Sequence, residues 1–412
     1  MISILWGLIG CFGLLFIVYL FSENKKRINW RTFAIGFFLQ VVLGFIVFKW
    51  NIGMVVMAKI SDGVNVIMGA GNEGLQFVFG ELADPSREAG SIFVINVLSI
   101  MIFLSALISI LYYFGIMQWF VRMIGGVISR MMGTGYVEST NAVTNMFLGM
   151  TQSALSVKPY FKNISRSQIF AIMVGGLASV SGAVLFGLIA LGINSQYLLS
   201  SAIMSAPAGL MVAKLMMPET EKLSTEEWKK VEKVNPTSDD AEPTFMDALI
   251  QGSKEGVDLT VNAAMILISI IGLVALLNVF IGGFGNLIGI EDLSLNLIFG
   301  YIFSPIAFLI GIPWNEAVLA GTLLGEKLIL NEFVAFTSFS EVINQFSEKS
   351  VAVMSFALAG FANIGSVGIT LGIMLGIAPE RNREIQNMAG KALFASTVAN
   401  LLNGAIVGMF FF

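Results

Sequence analysis

The sequence contains no histidine and a single cysteine, Cys11. Without histidine the chain lacks the commonest metal ligand and the side chain that most often transfers protons near neutral pH. One cysteine cannot form an intrachain disulfide. The HExxH metalloprotease motif and the serine–histidine dyad are therefore excluded, and no GxGD or GxSxG stretch occurs. Any proton coupling would have to use carboxylates, and a membrane enzyme would have to use carboxylates alone.

Charged residues are also scarce. They make up 12% of the 412 residues, against about 25% in an ordinary soluble domain. Hydrophobic residues make up 56%, and the net charge of −4 comes from mixed acids and bases. The chain has no basic stripe of the kind that nucleic-acid binding requires. Because a bilayer-spanning helix needs about 20 mostly apolar residues and such stretches recur, the sequence predicts an all-α membrane protein without a sizeable soluble domain.

Eight apolar runs predict about eight transmembrane helices. The first run lacks a positively charged start and a small-residue cleavage site, so it is predicted to be an uncleaved span rather than a signal peptide. A basic cluster follows it at residues 25–31, and the positive-inside rule then predicts that the N-terminus faces outward. The runs cover residues 1–21, 33–49, 92–115, 168–194, 197–216, 258–283, 349–378 and 390–412.

Alternation of sides along these spans places the other basic segments in the cytoplasm as well. They are Arg122 with Arg130, the polar loop 218–243, and Arg381 with Arg383. Residues 118–132 have apolar side chains at helical spacing with the two arginines set apart. This pattern predicts either a helix along the cytoplasmic interface or an extension of the preceding span. The loop 218–243 is predicted to be a solvated linker between the halves of the chain.

Two short stretches resemble each other across those halves: GLASVSG at Gly176–Gly182 and GFANIGS at Gly360–Ser366. Each interrupts a long apolar segment, and each follows a segment with a polar centre, residues 144–161 and 324–336. An odd number of predicted spans separates the copies, so the two copies would enter from opposite faces as inverted repeats. Such broken segments are tolerated only around an enclosed cavity, and paired inverted repeats indicate a transporter site at the midplane.

The stretch LGEKLILNEFVAF, Leu324–Phe336, places Lys327, Asn331 and Glu332 inside an apolar run. A charged side chain facing lipid costs about 2.5–3.5 kcal/mol on insertion scales. These residues are therefore predicted to face a polar site. The alternative is structural: an ion pair between Lys327 and Glu332, with Asn331 capping a hairpin helix.

These segments resemble the concentrative nucleoside transporter family. The resemblance covers nearly the whole chain, and its most specific motifs are GIPWNEA at 311–317, GEKLILNEFVAF at 325–336 and GFANIGSVGI at 360–369. It implies a homotrimer in the bacterial plasma membrane, with scaffold and transport subdomains in each protomer. The site of each protomer would be built from two re-entrant hairpins and two unwound helices. An elevator-like motion would carry a nucleoside inward with sodium or, in some bacterial members, with protons. On this basis residues 1–90 are predicted to be scaffold helices, 91–195 the first repeat, and 196–412 the C-terminal repeat.

The resemblance also implies the substrate-binding residues. The ribose-binding groups of the family fall on Glu332, Asn363 and Ser366, whose carboxylate, amide and hydroxyl suit a ribose diol. The nucleobase contacts fall on three consecutive residues of the first hairpin. Many members read Gly-Gln-Thr-Glu there, whereas this chain reads Gly-Met-Thr-Gln. Loss of a carboxylate acceptor predicts broadened or purine-shifted selectivity, and the base contacts become Met150, Thr151 and Gln152.

The sodium site of the family falls on Asn145, the carbonyl of Leu148, Ser179 and the carbonyl of Val180. Oxygen ligands and freed backbone carbonyls at a helix break suit this cation, so sodium is favoured over protons and no other cofactor is expected. The alternative is that the two side chains only satisfy broken-helix backbone groups. A channel, a transporter of another polar solute and, more remotely, a membrane enzyme stay open as rival functions.

Overall fold

The structure is a computed structural model that describes residues 2–84, 92–161, 163–221, 244–290 and 292–411. Within these ranges the chain is built from α-helices, a few short 3-10 turns and one π-helical segment, Val94–Leu98, with no β-strand. The predicted linker 218–243 lies outside the described residues from position 222 onward. The predicted fold class, an all-α membrane protein, is confirmed.

Sixteen α-helices occur in the described part of the chain. They are α1 Ile2–Leu20, α2 Trp30–Phe48, α3 Asn51–Phe79, α4 Ile100–Tyr113, α5 Ile116–Met132, α6 Tyr136–Ser156, α7 Arg166–Ala178, α8 Gly182–Ala190, α9 Ser195–Met216, α10 Phe245–Leu287, α11 Leu295–Leu309, α12 Trp314–Ile329, α13 Glu332–Val342, α14 Glu348–Leu358, α15 Ile364–Ile377 and α16 Asn382–Gly408.

Seven helical segments in the described ranges are long and apolar enough to cross a membrane, and the bent pair α11 and α12 would make an eighth. Six of the seven correspond to predicted spans. The seventh, which contains α3, was not predicted, and the predicted spans 349–378 and 390–412 are not among the seven. The first of these two is divided between α14 and α15, whereas the second is the C-terminal part of α16.

Helix α3 bears directly on the predicted orientation. Its apolar residues are interrupted by charged ones, among them Lys59, Asp62 and Glu73, so it has no continuous apolar run. If α3 crosses the bilayer, Arg122 and Arg130 no longer fall on the same side as the basic cluster 25–31. The predicted cytoplasmic placement of these arginines, together with an outward N-terminus, therefore requires that α3 does not cross.

The segment 118–132 is a helix of its own. Gly115 adopts the left-handed conformation (φ 74°) and separates α4 from α5. A side chain at that φ is disfavoured, which is why glycine ends one helix and begins the next. The alternative prediction, a cytoplasmic extension of the preceding span, does not hold as one continuous helix, because Gly115 separates the two helices. The position of α5 relative to the membrane stays a prediction.

Both predicted hairpins and both broken helices are present. Helix α6 contains a non-helical residue at Gly149 (φ 76°), and α12 and α13 are separated by Leu330 and Asn331. Helices α7 and α8 are separated by Ser179–Ser181. Helices α14 and α15 are separated by residues 359–363. Each half of the chain thus contains one hairpin followed by one broken helix.

The core surrounds the first of these broken helices. Every residue of α7 from Ser167 to Ala178 is buried, and α9, α14 and the C-terminal half of α16 are buried with it. Helix α10 lies outside this core and packs along α4. A Cβ at Gly256 would lie 2.4 Å from the Cα of Ile102, and one at Gly252 would lie 2.7 Å from the Cα of Ala106. Small residues allow this close approach of two membrane helices.

Candidate substrate and cation site

The two helix breaks lie against each other. The backbone N–H of Phe361, in the second break, donates to the carbonyl of Ser179, in the first, at 3.2 Å. The side chain of Asn400 joins the same breaks, because its Nδ2 donates to the carbonyl of Ala178 at 2.6 Å and to that of Ala359 at 3.1 Å. Carbonyls freed at the ends of α7 and α14 are thereby satisfied by a side chain of α16.

The first hairpin lies on the first break. A Cβ at Gly149 would lie 2.7 Å from the Cβ of Ser181 and 3.8 Å from the ring of Phe361. Glycine therefore serves two purposes here: it permits the positive φ that turns the hairpin, and it allows the hairpin to approach the break closely. The carbonyl of Phe147, also on the first hairpin, lies close to the start of α8, 3.2 Å from the position of a Cβ at Gly182.

The predicted sodium ligands lie on the two segments that this contact joins. Asn145 is fully buried; its Nδ2 donates to Asn141 Oδ1 at 3.1 Å, and its Oδ1 accepts from the hydroxyl of Ser153. Its Oδ1 lies 3.8 Å from the position of a Cβ at Gly176, in the last turn of α7. Ser179 is also buried, and its hydroxyl has no hydrogen-bond partner among the described residues. Leu148 and Val180 adjoin Gly149 and Ser179 in sequence, so their carbonyls lie at the hairpin bend and at the break.

The predicted ribose-binding residues also meet. Asn363 Nδ2 donates to Glu332 Oε2 at 3.0 Å, and Asn363 Oδ1 accepts from the backbone N–H of Ser366 at 2.7 Å. Asn363 is therefore both the N-cap of α15 and a partner of the carboxylate. All three residues are buried, with Glu332 at the first position of α13. A carboxylate is stabilised near helix N-termini by the helix dipole.

Lys327 is bound to the helix breaks rather than to Glu332. Its Nζ donates to the carbonyl of Ala357 and to Asn400 Oδ1, both at 2.7 Å. The ion pairs of the described residues do not join Lys327 to Glu332, so the structural ion pair considered from the sequence is not formed. Asn331 does cap α13, since its Oδ1 accepts from the backbone N–H of Val334 at 2.8 Å.

Comparisons with known proteins relate nearly the whole length of the chain to nucleoside transporters. The family models described as Na+ dependent nucleoside transporter N-terminus, nucleoside recognition, and Na+ dependent nucleoside transporter C-terminus match residues 9–82, 94–195 and 197–408. The chain is 43% identical to the uncharacterized transporter YutK of Bacillus subtilis (strain 168), covering 99% of this chain and 100% of that protein. It is 37% identical to the nucleoside permease NupC of Helicobacter pylori, covering 99% and 98%. The chain belongs to the concentrative nucleoside transporter family.

Solved structures of one relative match almost the full chain. CNTnw in an inward-facing, substrate-bound state matches with a TM-score of 0.92 and 37% identity, covering 99% of this chain and 98% of that one. A variant of CNTnw in an outward-facing state matches with a TM-score of 0.95 and 37% identity over the same shares. Because the named relatives are transporters and permeases, the prediction that the chain is not an enzyme is confirmed.

The three residues predicted to contact the base have different surroundings. The hydroxyl of Thr370, one turn after Ser366 on α15, donates to the sulfur of Met150 at 3.6 Å. Thr151 is exposed. Gln152 is partly buried and donates through Nε2 to Glu255 Oε2 at 2.7 Å. The first hairpin therefore reaches α15 through Met150 and α10 through Gln152.

Sequence analysis did not identify Thr370, Glu255 or Asn400. Thr370 could have been found, because it follows Ser366 by one helical turn and so lies on the same face of its helix. Asn400 is a polar residue inside a predicted apolar span, which is a signal for a buried polar role. Glu255 precedes the predicted span 258–283, and no pattern in the sequence relates it to the first hairpin.

Proposed function

We propose that this transporter moves nucleosides into the cell together with sodium. The observation that carries the proposal is the pairing of two sites: the buried Glu332, Asn363 and Ser366 cluster, and the oxygen-rich contact between the first hairpin and the first helix break. The contact between Phe361 and Ser179 joins the two breaks that form these sites. Substrate and cation would thus bind to parts of the protein that touch each other.

The ribose is expected to bind at Glu332. One oxygen of this carboxylate accepts from Asn363, and a carboxylate can accept several hydrogen bonds in all. Vicinal hydroxyls of a ribose would donate to the remaining positions, and hydrogen bonds to a charged acceptor are the strong ones. The hydroxyl of Ser366 adds a neutral donor and acceptor beside them. A deoxy analogue would leave part of this buried set unpaired and should be transported less well.

Sodium is expected to bind between Asn145 and Ser179. The hydroxyl of Ser179 is buried without a partner among the described residues, and a buried polar atom of this kind calls for a ligand or a water. Backbone carbonyls of Leu148 and Val180 would complete a set made of oxygen atoms only, which a hard cation prefers to nitrogen or sulfur. A proton would not need such a set, so the donor chemistry supports sodium.

Alternating access by an elevator-like motion is proposed for the whole molecule. Helices α4 and α10 would belong to the scaffold, and the two hairpins with the two broken helices would form the moving part. CNTnw has been solved in inward-facing, intermediate and outward-facing states, which supports alternating access for this chain. The homotrimer, the bacterial plasma membrane, the outward N-terminus and the division into residues 1–90, 91–195 and 196–412 belong to the same proposal.

Uptake into proteoliposomes tests this function. Labelled uridine and labelled adenosine would be offered with an inward sodium gradient, with an inward proton gradient, and with neither. Accumulation should require sodium and should be abolished in Glu332→Gln, because the neutral amide loses the charge-assisted hydrogen bonds to ribose. Glu316→Gln is the matched control, since Glu316 is only partly buried at the start of α12 and bonds to Ser347. Its uptake should equal that of the wild type.

A transporter of another polar solute is the second candidate. It is favoured by Met150, which places a thioether where many family members have a polar base contact. Absence of accumulation of either nucleoside under every gradient would support this candidate and contradict the proposed function. Equal uridine levels inside and outside the vesicles, reached without a gradient, would instead indicate a channel.

A further inference from the structure

Glu255 accepts hydrogen bonds on both of its carboxylate oxygens. Gln152 Nε2 donates to Oε2 at 2.7 Å, and Gln251 Nε2 donates to Oε1 at 3.1 Å. Two donors on two oxygens are what an ionised, acceptor-only carboxylate requires. Glu255 and Gln251 lie one turn apart on α10, whereas Gln152 lies on the second part of the first hairpin.

The position of Glu255 is fixed by the packing of α10 on α4. Glycines at 252 and 256 flank it and allow the two helices to touch, and the hydroxyl of Thr260 donates to the carbonyl of Leu98 at 3.0 Å. The carboxylate is therefore held by a helix pair that is separate from the hairpin carrying Gln152. Helix α4 also reaches the first break, since the side chain of Ile108 lies 3.1 Å from the position of a Cβ at Gly182.

This contact sets the direction of the Gln152 amide. Because the carboxylate can only accept, the amide nitrogen must face Glu255, and the amide oxygen is then the atom left for another partner. Within the described ranges no residue donates to that oxygen. Two residues earlier, Met150 contacts Thr370, one turn from Ser366, so this part of the hairpin adjoins the helix that carries the ribose cluster.

We propose that Glu255 is a positioning residue for base selectivity, which orients Gln152 so that it presents an acceptor to the nucleobase. The inference rests on the proposed function. The favoured class is then nucleosides whose base carries a ring N–H on its pairing edge, such as uridine and inosine. Cytidine and adenosine present a ring acceptor at that point, and two acceptors cannot bond to each other.

This inference revises the selectivity expected from the sequence. The missing hairpin carboxylate suggested a weaker preference for N–H donors, because the amide at 152 can donate as well as accept. In the conformation of this structure, Glu255 removes that freedom by occupying the donor. Because the proposed elevator motion moves the hairpin relative to α10, the restraint acts in this conformation of the transport cycle. The chain therefore keeps an acceptor at the base edge through two residues on different helices. Selectivity between purines and pyrimidines would then depend separately on the space beside Met150.

Competition within matched base pairs tests the inference. Uridine and cytidine share one ring system, and inosine and adenosine share another, so each pair differs mainly at the pairing edge. Inhibition of labelled uridine uptake should favour the N–H member of each pair by about tenfold, the usual effect of one mismatched buried hydrogen bond. A wild-type ratio near one in both pairs would overturn the inference, while accumulation of uridine would still support the proposed function.

Variants at 255 separate a positioning role from a structural one. In Glu255→Gln the partner can donate or accept, the amide of Gln152 can turn over, and both ratios should fall to about threefold or less. The double variant Gln152→Glu with Glu255→Gln exchanges the carboxylate and the amide. The carboxylate at 152 then faces the base, and the amide at 255 donates to that carboxylate. This variant should regain the wild-type ratios, because a carboxylate at 152 can only accept, so it tests the acceptor at the base edge. The role of Glu255 is tested by the single variant Glu255→Gln, which keeps a hydrogen bond to Gln152 and should take up uridine as the wild type does.

Asp258→Asn is the matched control, because Asp258 is an exposed carboxylate three residues after Glu255 on α10. It should leave both ratios unchanged. Unchanged ratios in Glu255→Gln, or ratios that stay low in the exchanged double variant, would each contradict the inference. If Glu255→Gln is not produced in folded form, Glu255→Ala decides the question, since it also removes the acceptor that fixes the amide of Gln152 and should lower both ratios.

Discussion

Replacing Lys327 with methionine removes a buried positive charge that is bonded to α14 and to Asn400, the residue that joins the two helix breaks. Methionine has a similar length and no donor, so the change deletes the two hydrogen bonds of the ammonium, to the carbonyl of Ala357 and to Asn400 Oδ1. Asn400 cannot turn to compensate, because its Nδ2 is bonded to the carbonyls of Ala178 and Ala359. Two buried acceptors are therefore left unpaired.

The magnitude follows from those two acceptors. Each buried acceptor without a partner costs about 1–3 kcal/mol, which gives a gross loss of about 4 kcal/mol. The variant also escapes the cost of burying an ammonium, because Lys327 is only 3% exposed. A net loss of about 3 kcal/mol in the free energy of unfolding is expected. At roughly 2 °C per kcal/mol for a large chain, the unfolding midpoint should fall by about 6 °C.

Thermal unfolding of the purified protein in detergent, followed by tryptophan fluorescence, measures this change. Lys391→Met is the matched control: Lys391 is 42% exposed and pairs with Glu23 at 2.6 Å. An exposed ion pair is worth about 0–1 kcal/mol, so the control should move the midpoint by about 2 °C or less. Equal midpoints for the two variants would refute the reasoning, because they would show that the bonds of Lys327 contribute no more than a surface pair.

Two further predictions concern the cation site. Ser179→Ala should not lower the unfolding midpoint without sodium, since the hydroxyl has no partner among the described residues. It should nevertheless raise the half-saturating sodium concentration for uptake about tenfold, as expected for one lost ligand worth about 1.4 kcal/mol. Ser201→Ala, which removes a hydroxyl bonded to the carbonyl of Leu198, should leave that concentration unchanged, and a similar shift in both would contradict the assignment. Gly149→Ala should abolish sodium-driven uptake, because its Cβ would lie 2.7 Å from the Cβ of Ser181 at a positive φ. Gly192 also has a positive φ but faces open space, so Gly192→Ala should retain uptake. Loss of uptake in both variants would attribute the effect to backbone strain of about 1–3 kcal/mol rather than to the hairpin contact.

The sequence predicted the hairpins and the broken helices because their signal is local. Small and polar residues such as Ser179 and Asn363 interrupt long apolar runs. Where a helix breaks inside a membrane, its backbone N–H and C=O groups need polar partners, and such residues mark these breaks. Glu332 was predicted to face a polar site for the same reason. These predictions needed only the order of residues, so they did not depend on knowing which segments touch.

Helix α3 was missed because its pattern is mixed. Charged residues such as Asp62 and Glu73 interrupt its apolar residues, and a search for continuous apolar runs passes over such a helix. The partners of Lys327 and Gln152 were missed for a different reason. Asn400 and Glu255 are far away in the sequence, and neither composition nor periodicity carries information on which distant side chains meet. Only the packing of α16 and α10 supplies it.

The two repeats differ in how the polar groups at their breaks are satisfied. Asn145 lies about one turn before the bend of the first hairpin, and Lys327 lies about one turn before the bend of the second. In the second repeat the ammonium of Lys327 is a covalently attached cation against the carbonyl end of α14. In the first repeat the corresponding side chain is a neutral amide, and the nearby hydroxyl of Ser179 has no partner within the described ranges. This difference supports the proposal that the coupling ion binds in the first repeat, where the chain supplies no cation of its own at the break, and that Glu332, beside the second break, binds the substrate.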